Sequence, residues 1–320
     1  MKFLAALFSV CIFACSNKVA VPDYPCLLED EPVQMSYLPS NETVQEMIQD
    51  ETLIGGVPAD ITLWPASVYS ANASGGACSS TLIGDRVLLS ACHCMANGAV
   101  VSFSAGANKY TARCEHHSEY KGNKTADWAL CLVDRPVTGV TYERLATQQS
   151  IRIGDKVRLS GYGCTRAGGG GGNDGIFRIG IAEVSSIPSG KNYDVVTKGG
   201  AALCFGDSGG AAYAEYADGS REVFGVNSRG NIKNISYLPS VANPTMQAFA
   251  KDFASKHGVG ICGLTPRAMA CRDEKQPLPP IGADFEIRSQ MGCARVKLNP
   301  GYESKKETLF QKMKALFTGE

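Results

Sequence analysis

This chain of 320 residues has no excess of charge: 31 Lys and Arg stand against 31 Asp and Glu, and charged residues make up only 19% of it. Without a basic surplus there is no electrostatic footprint for nucleic acid, and none is expected as a partner. Apolar runs are short. The clearest, Phe3–Ala14, covers a dozen residues and is too short to span a bilayer. Long helical patterns are few, and histidine is scarce, with only His93, His116, His117 and His257. In supply are Gly, at 35, and Cys, at 13. Glycine without helical periodicity leans towards turn-rich β structure, and cysteine in this number fits an oxidising compartment and disulfides.

The N-terminus reads as an export signal. Lys2 is a basic start, Phe3–Ala14 the apolar stretch, and Ile12-Phe13-Ala14-Cys15-Ser16 resembles the bacterial lipobox, which makes Cys15 the acylated mature N-terminus. The resemblance implies an outer-membrane lipoprotein, tethered by lipid chains alone, with residues 1–14 removed. An ordinary secretory peptide cut near Ala14 or Ala20 is the alternative and leaves a secreted or periplasmic protein.

Residues 15–52 form a leader with little core, broken by Pro22, Pro25, Pro32 and Pro39. From Leu53 short apolar runs recur between Gly, Asn, Asp and Ser: Ser67–Tyr69, Thr81–Ile83, Arg86–Ser90, Val100–Ser104, Trp128–Val133, Lys156–Gly161, Ile176–Val184 and Glu222–Asn227. Many short strands read as an all-β barrel or sandwich. Gly168–Gly172 is expected to be an exposed flexible loop. One helix is expected at Pro244–His257, with Met246, Phe249, Ala250 and Phe253 inward and Gly258 ending it. Residues 259–320 form an extension that closes on an amphipathic helix with Leu309, Phe310, Met313, Leu316 and Phe317 on one face.

The chemistry centres on Cys204-Phe205-Gly206-Asp207-Ser208-Gly209-Gly210-Ala211. Glycines on both sides let the backbone turn sharply and leave N–H groups free to crowd an incoming carbonyl oxygen. A serine hydroxyl becomes a useful nucleophile only beside a base that a third group orients. His93 follows the strand-like Arg86–Ala91 and lies between Cys92 and Cys94, whereas His116 and His117 read as loop residues and His257 as a solvated helix end. Asp127, at the mouth of the apolar run Trp128–Val133, is costly to bury alone and calls for a partner such as an imidazole N–H.

These blocks, in order, resemble the chymotrypsin/trypsin family of serine proteases. Leu53-Ile54-Gly55-Gly56 is similar to that family's mature N-terminus, and Cys78–Ile83, Ser90–Cys94, Asp127–Leu130, Gly161–Gly163, Gly206–Gly210 and Gly225–Gly230 to its later motifs. The resemblance covers residues 53–257, within a protease domain set at 53–258, and implies two antiparallel six-stranded β-barrels with the cleft between them. It implies a polypeptide substrate, Ser208 as nucleophile, His93 as base, Asp127 orienting it with Ser228 as a further donor, and Gly206 and Ser208 N–H as the oxyanion hole. It also implies a zymogen, in which an activating protease cuts Thr52–Leu53 and the freed Leu53 amine pairs with Asp207. Asp50 and Glu51 precede that bond where the family more often has a basic residue.

Alignment on Cys204 puts Ala202 at the floor of the primary pocket, so no carboxylate awaits a Lys or Arg side chain. Gly230 leaves one wall open and Ile235 narrows the pocket, which implies cleavage after apolar residues of small to medium size. Cys78–Cys94 matches the family's bridge around the histidine; Cys164–Cys204 and Cys114–Cys131 are further expected pairs. Cys92 stands where the family commonly has alanine and is expected as a buried thiol, and Cys26 is expected to pair with a tail cysteine. No cofactor is expected. A zinc site from Cys92, His93, Cys94, Cys114, His116 and His117 is disfavoured, because alternate residues of a strand point to opposite faces. The rival reading is a non-catalytic binding or adhesion lipoprotein on the same fold, suggested by the altered cut site and by Ala211 where proline is usual.

Overall fold

The computed structural model describes residues 53–272, apart from positions 74, 170, 172, 173, 218, 267 and 269. The export signal, Cys15, the leader to Thr52, Cys26, Cys293 and the terminal amphipathic helix lie outside the described residues. In chain order the strands are β1 (Val57–Pro58), β2 (Ser67–Asn72), β3 (Ala77–Gly84), β4 (Val87–Ser90), β5 (Val100–Ala105), β6 (Asn108–His116) and β7 (Ala129–Val133). There follow β8 (Lys156–Gly161), β9 (Arg178–Ser186), β10 (Asp194–Gly200), β11 (Ala211–Glu215), β12 (Arg221–Val226), β13 (Arg229–Gly230) and β14 (Ile235–Pro239), then helix α1 (Pro244–His257).

Strands β2-β3-β4-β7-β6-β5 close into a barrel. Its pattern is period two: Val101, Phe103, Tyr110, Ala112 and Cys114 turn inward while Ser102, Thr111 and Arg113 face out. β6 was not legible as a strand, and His116, expected in a loop, is its last residue. The register of β4 on β7 pairs Ser90 with Ala129, so the residues just after β4 meet those just before β7. That pairing brings His93 beside Asp127.

The second sheet runs β12-β11-β8-β9-β10-β14-β13, with β1 also on β9. A bridge between Gly225 of β12 and Ser240, just past β14, draws its ends together. The two halves meet through aromatic rings: Trp64 lies 5.0 Å from Tyr213, Tyr69 lies 5.9 Å from Tyr162, and the Tyr162 hydroxyl donates to Ser67 O at 2.9 Å. Burying each such ring contributes about 1.5–3 kcal/mol. The Arg221 guanidinium stacks 3.5 Å over Trp64 and pairs with Glu143, both side chains fully buried.

Helix α1 starts where Asn243 Oδ1 accepts the Thr245 N–H at 2.8 Å, with Pro244 in the first turn. It stops at Gly258, whose φ of 64° suits the left-handed cap. Met246, Ala250, Phe253 and Ala254 are buried. His257 is not a solvated cap: its Nε2 lies 2.7 Å from Glu115, which also accepts from Lys256 at 2.9 Å, tying the helix end to β6. Beyond the helix Val259, Ile261 and Cys262 are buried, and a Cys262–Cys271 disulfide pins the chain to the body. That bond joins two of the tail cysteines to each other.

Candidate active site

Asp127 is built in by its position before β7. Its side chain is almost fully buried, yet it accepts three hydrogen bonds: His93 N–H to Oδ1 at 3.0 Å, His93 Nδ1 to Oδ2 at 2.6 Å and Ser228 Oγ to Oδ2 at 2.6 Å. Burial pushes its carboxyl up, but the bonds from His93 and Ser228 outweigh that and hold it below the usual range. An ionised Asp127 accepts, so His93 Nδ1 carries the proton and Nε2 keeps a free lone pair. His93 itself sits on a single tight turn, Cys92–Cys94, rather than within a strand, and the Cys78–Cys94 disulfide closes that turn.

Ser208 lies opposite. Its Oγ donates to the Ser228 carbonyl at 3.4 Å, so Ser228 touches the aspartate through its hydroxyl and the serine through its backbone. Both Ser208 and His93 line one cavity of about 370 Å³. The first barrel supplies His93, Tyr120, Lys124 and Asp127 to its wall; the second supplies Leu203, Cys204, Phe205 and Ser208, with Ser228, Arg229, Gly230 and Ile232.

In the loop carrying Ser208 the N–H groups of Asp207, Gly209 and Gly210 are bonded to Cys204 O, Asn227 O and Asp207 O. Among the described residues, those of Gly206 and Ser208 have no internal acceptor. Gly206 has a φ of 103°, open to glycine alone, and a Cβ on Gly209 would lie 2.4 Å from both Ser79 O and Ser90 Oγ. The Gly-Tyr-Gly signal has an equally local cause. A Cβ on Gly161 or Gly163 would run into the Asp207 carboxyl, at 2.2 and 2.6 Å.

Asp207 is fully buried and accepts from Gly163 N at 2.9 Å and Cys204 N at 2.8 Å. Burial nonetheless pushes its carboxyl up to about 7. Leu53 is fully buried, and Ile54 bridges Ala202. Ala202 is buried and Ile235 half-buried, and both stand outside the cavity lining; Leu203 and Ile232 line the pocket instead. Gly230 lines it, but its missing Cβ would meet the Ile235 carbonyl at 2.5 Å, so β14 rather than an open pocket wall requires glycine there.

Cys164–Cys204 and Cys114–Cys131 are both formed. Cys92 is a buried free thiol donating to Trp128 O at 2.8 Å, and burial with the nearby Asp127 charge raises its pKa, so it stays protonated. Cys94 and Cys114 are held in disulfides. His117 is packed edge-on to Trp128 and Phe249 at 5.2 and 5.3 Å. Desolvation lowers the pKa of His116 and His117 alike, and neither lines the cavity. The glycine stretch is not free of contacts: Gly169 is half-buried, and a Cβ there would strike the Phe205 ring at 2.7 Å.

Ser79 and Arg229 lie inside the blocks Cys78–Ile83 and Gly225–Gly230 without a role assigned to them there, while Tyr120 and Lys124, seven and three residues before Asp127, carry no local signal.

A closed six-stranded barrel and a second curled sheet, with a serine, a histidine and an aspartate at their shared groove, define the double-barrel class of β hydrolase folds. The family model described as Trypsin matches residues 53–251. The chain belongs to the trypsin family and is a serine protease of that type.

Proposed function

We propose that this chain is a serine endopeptidase working through His93, Asp127 and Ser208. The observation that carries the reading is the hydrogen-bonded line Ser228–Asp127–His93 facing the same cavity as Ser208. His93 Nε2 takes the Ser208 proton as Oγ attacks the scissile carbonyl; the developing oxyanion is received by Gly206 N–H and Ser208 N–H. Collapse of the tetrahedral species breaks the C–N bond, and His93 returns the proton to the leaving amine. A water then attacks the acyl-enzyme, again deprotonated by His93, and the acid departs as Ser208 regains its proton.

Leu203 and Ile232 in the pocket wall favour an apolar side chain before the cleaved bond, in keeping with Ala202 where a carboxylate would select Lys or Arg. Activation by a cut at Thr52–Leu53 is supported by Asp207, a fully buried carboxyl that among the described residues accepts hydrogen bonds from the backbone N–H groups of Gly163 and Cys204. A freed Leu53 ammonium would supply it with an ion-pair partner. Export and lipid anchoring at Cys15 rest on the N-terminal signal and on the disulfides of the body.

The test is hydrolysis of internally quenched peptides by the full chain carrying an engineered cut site before Leu53. Cleavage after apolar residues that vanishes in Ser208→Ala supports the reading. Preference for Arg or Lys overturns the specificity, and no hydrolysis after verified cutting overturns the function.

A further inference from the structure

The cavity at Ser208 has an apolar end and a charged one. Among its lining residues the acids are confined to Asp127, which is buried and bonded to His93 and Ser228. The cations are Lys124 and Arg229, on opposite walls but in contact: Arg229 Nη1 donates to Lys124 O at 3.2 Å. Arg229 is offset by the buried Asp194, with which it is paired, and lies 5.0 Å from the Tyr237 ring. Lys124 is exposed, its ammonium 4.0 Å over the Tyr120 ring, and among the described residues it has no carboxylate partner. Lys191 backs the same loop, its carbonyl accepting from Asn123 at 2.9 Å. Glu119, five residues before Lys124, accepts from Tyr193 OH at 2.9 Å.

The fold also fixes how a peptide meets these cations. β13 is the last strand of its sheet, paired with β14, and among the described residues no strand pairs with its other edge, which follows Ser228 beside Ser208. An extended peptide added antiparallel to that edge, with its reacting carbonyl at Ser208 next to Ser228, runs its preceding residues past Arg229 and Gly230. Lys124 then faces those residues from the first barrel.

We infer that Lys124, backed by Arg229, forms a cationic subsite that selects polypeptides carrying Asp or Glu within the three residues before the scissile bond. The inference rests on Ser208 being the reacting centre. It adds to the apolar pocket a second requirement, so that the preferred substrate is an acidic segment ending in an apolar residue.

The test is peptide affinity in the full chain with Ser208→Ala, measured by fluorescence anisotropy on labelled peptides that keep one apolar cleavage residue. Glu, Gln or Lys is placed at each of the three preceding positions in turn. Glu should bind roughly fivefold tighter than Gln in at least one position at low salt, the upper range for a solvent-exposed ion pair. Lys should be weakest, the gap should shrink in 0.5 M salt as screening lengths fall to roughly 4 Å, and Lys124→Glu should reverse the order. Equal affinity for Glu and Gln at all three positions, or no binding of any peptide, overturns the inference. Reaction of the chain cut before Leu53, with Ser208 intact, with a fluorophosphonate separates this from the protease reading. Labelling with no acid preference sinks only the subsite; acid preference without labelling keeps the subsite and sinks the catalysis.

Discussion

Ser79 Oγ donates to the Gly206 carbonyl at 2.8 Å while accepting the Tyr162 N–H at 3.0 Å. One hydroxyl from β3 of the first barrel thus holds the peptide that aims an oxyanion donor in the second. The contact requires close approach, since a Cβ on Gly210 would lie 2.6 Å from Ser160 O and 3.0 Å from Ser79 Cβ. Ser79→Ala removes the hydrogen bonds that its hydroxyl makes with the Tyr162 N–H and the Gly206 carbonyl and should lower stability by about 0.5–1.5 kcal/mol. With the Gly206 peptide loosened, kcat should fall about tenfold, below the full loss of an oxyanion donor, with KM little changed. Thermal unfolding and steady-state kinetics on one preparation check both.

Ser228 is a second positioning residue. Its hydroxyl gives Asp127 a buried bond of 2.6 Å. Hydrogen bonds to a charged group contribute about 1.5–3 kcal/mol, so Ser228→Ala should cut kcat by about ten- to a hundredfold with the fold intact. Asp127→Asn, which forces the wrong imidazole tautomer, should be worse, near the roughly 10⁴-fold known for this triad. Rates for the two variants, with circular dichroism as the control for folding, test the order.

Asp207 links activation to pH. Its folded pKa of about 7 stands above the ordinary carboxyl value because burial disfavours the charge. The folded uncut chain therefore holds this proton longer than the unfolded chain. Stability present at pH 4 is lost as pH rises towards 7, by as much as about 4 kcal/mol for a shift of this size. Pairing with a freed Leu53 ammonium favours the ionised form and removes that loss. Urea unfolding at pH 5 and pH 7.5 should show the uncut chain weaker at the higher pH, with the slope flattened by cutting or by Asp207→Asn.

The fold also carries a buried ionic joint. Glu143 accepts from Arg221 at 2.5 and 3.1 Å and lies 3.4 Å from Arg272, all in the interior. Glu143→Ala removes the carboxylate of the fully buried pair with Arg221 and should cost about 3–5 kcal/mol in chemical denaturation. Because Arg272 follows the Cys262–Cys271 bridge, the segment after α1 should become protease-sensitive first in this variant.

Local signals in the sequence located much of this. The run Lys156–Gly161 is β8 to the residue, and Pro244–His257 is α1, because apolar spacing, an Asn cap and a terminal glycine all agree there. His93 and Ser208 were marked by the cysteines and glycines of their tight turns, and Asp127 by its place at the mouth of the apolar strand β7. What escaped depends on contacts made over long stretches of chain. β6 carries its alternation in Tyr110, Ala112 and Cys114, diluted by Lys109, Thr111 and Arg113 and ended by two histidines that look like loop. Nothing local marks Lys124 or Arg229 as cavity residues; the barrel registers bring them together. Cys262 and Cys271 were hidden by the choice of partners that an odd cysteine count leaves open.

Reactivity of one hydroxyl tests the account most directly. The full chain, cut before Leu53, should be labelled by a fluorophosphonate at Ser208, as mapped by peptide mass spectrometry. The label should be lost in His93→Ala and strongly slowed in Asp127→Asn. Absence of labelling at Ser208 in the cut, folded chain, or labelling indifferent to His93, contradicts it.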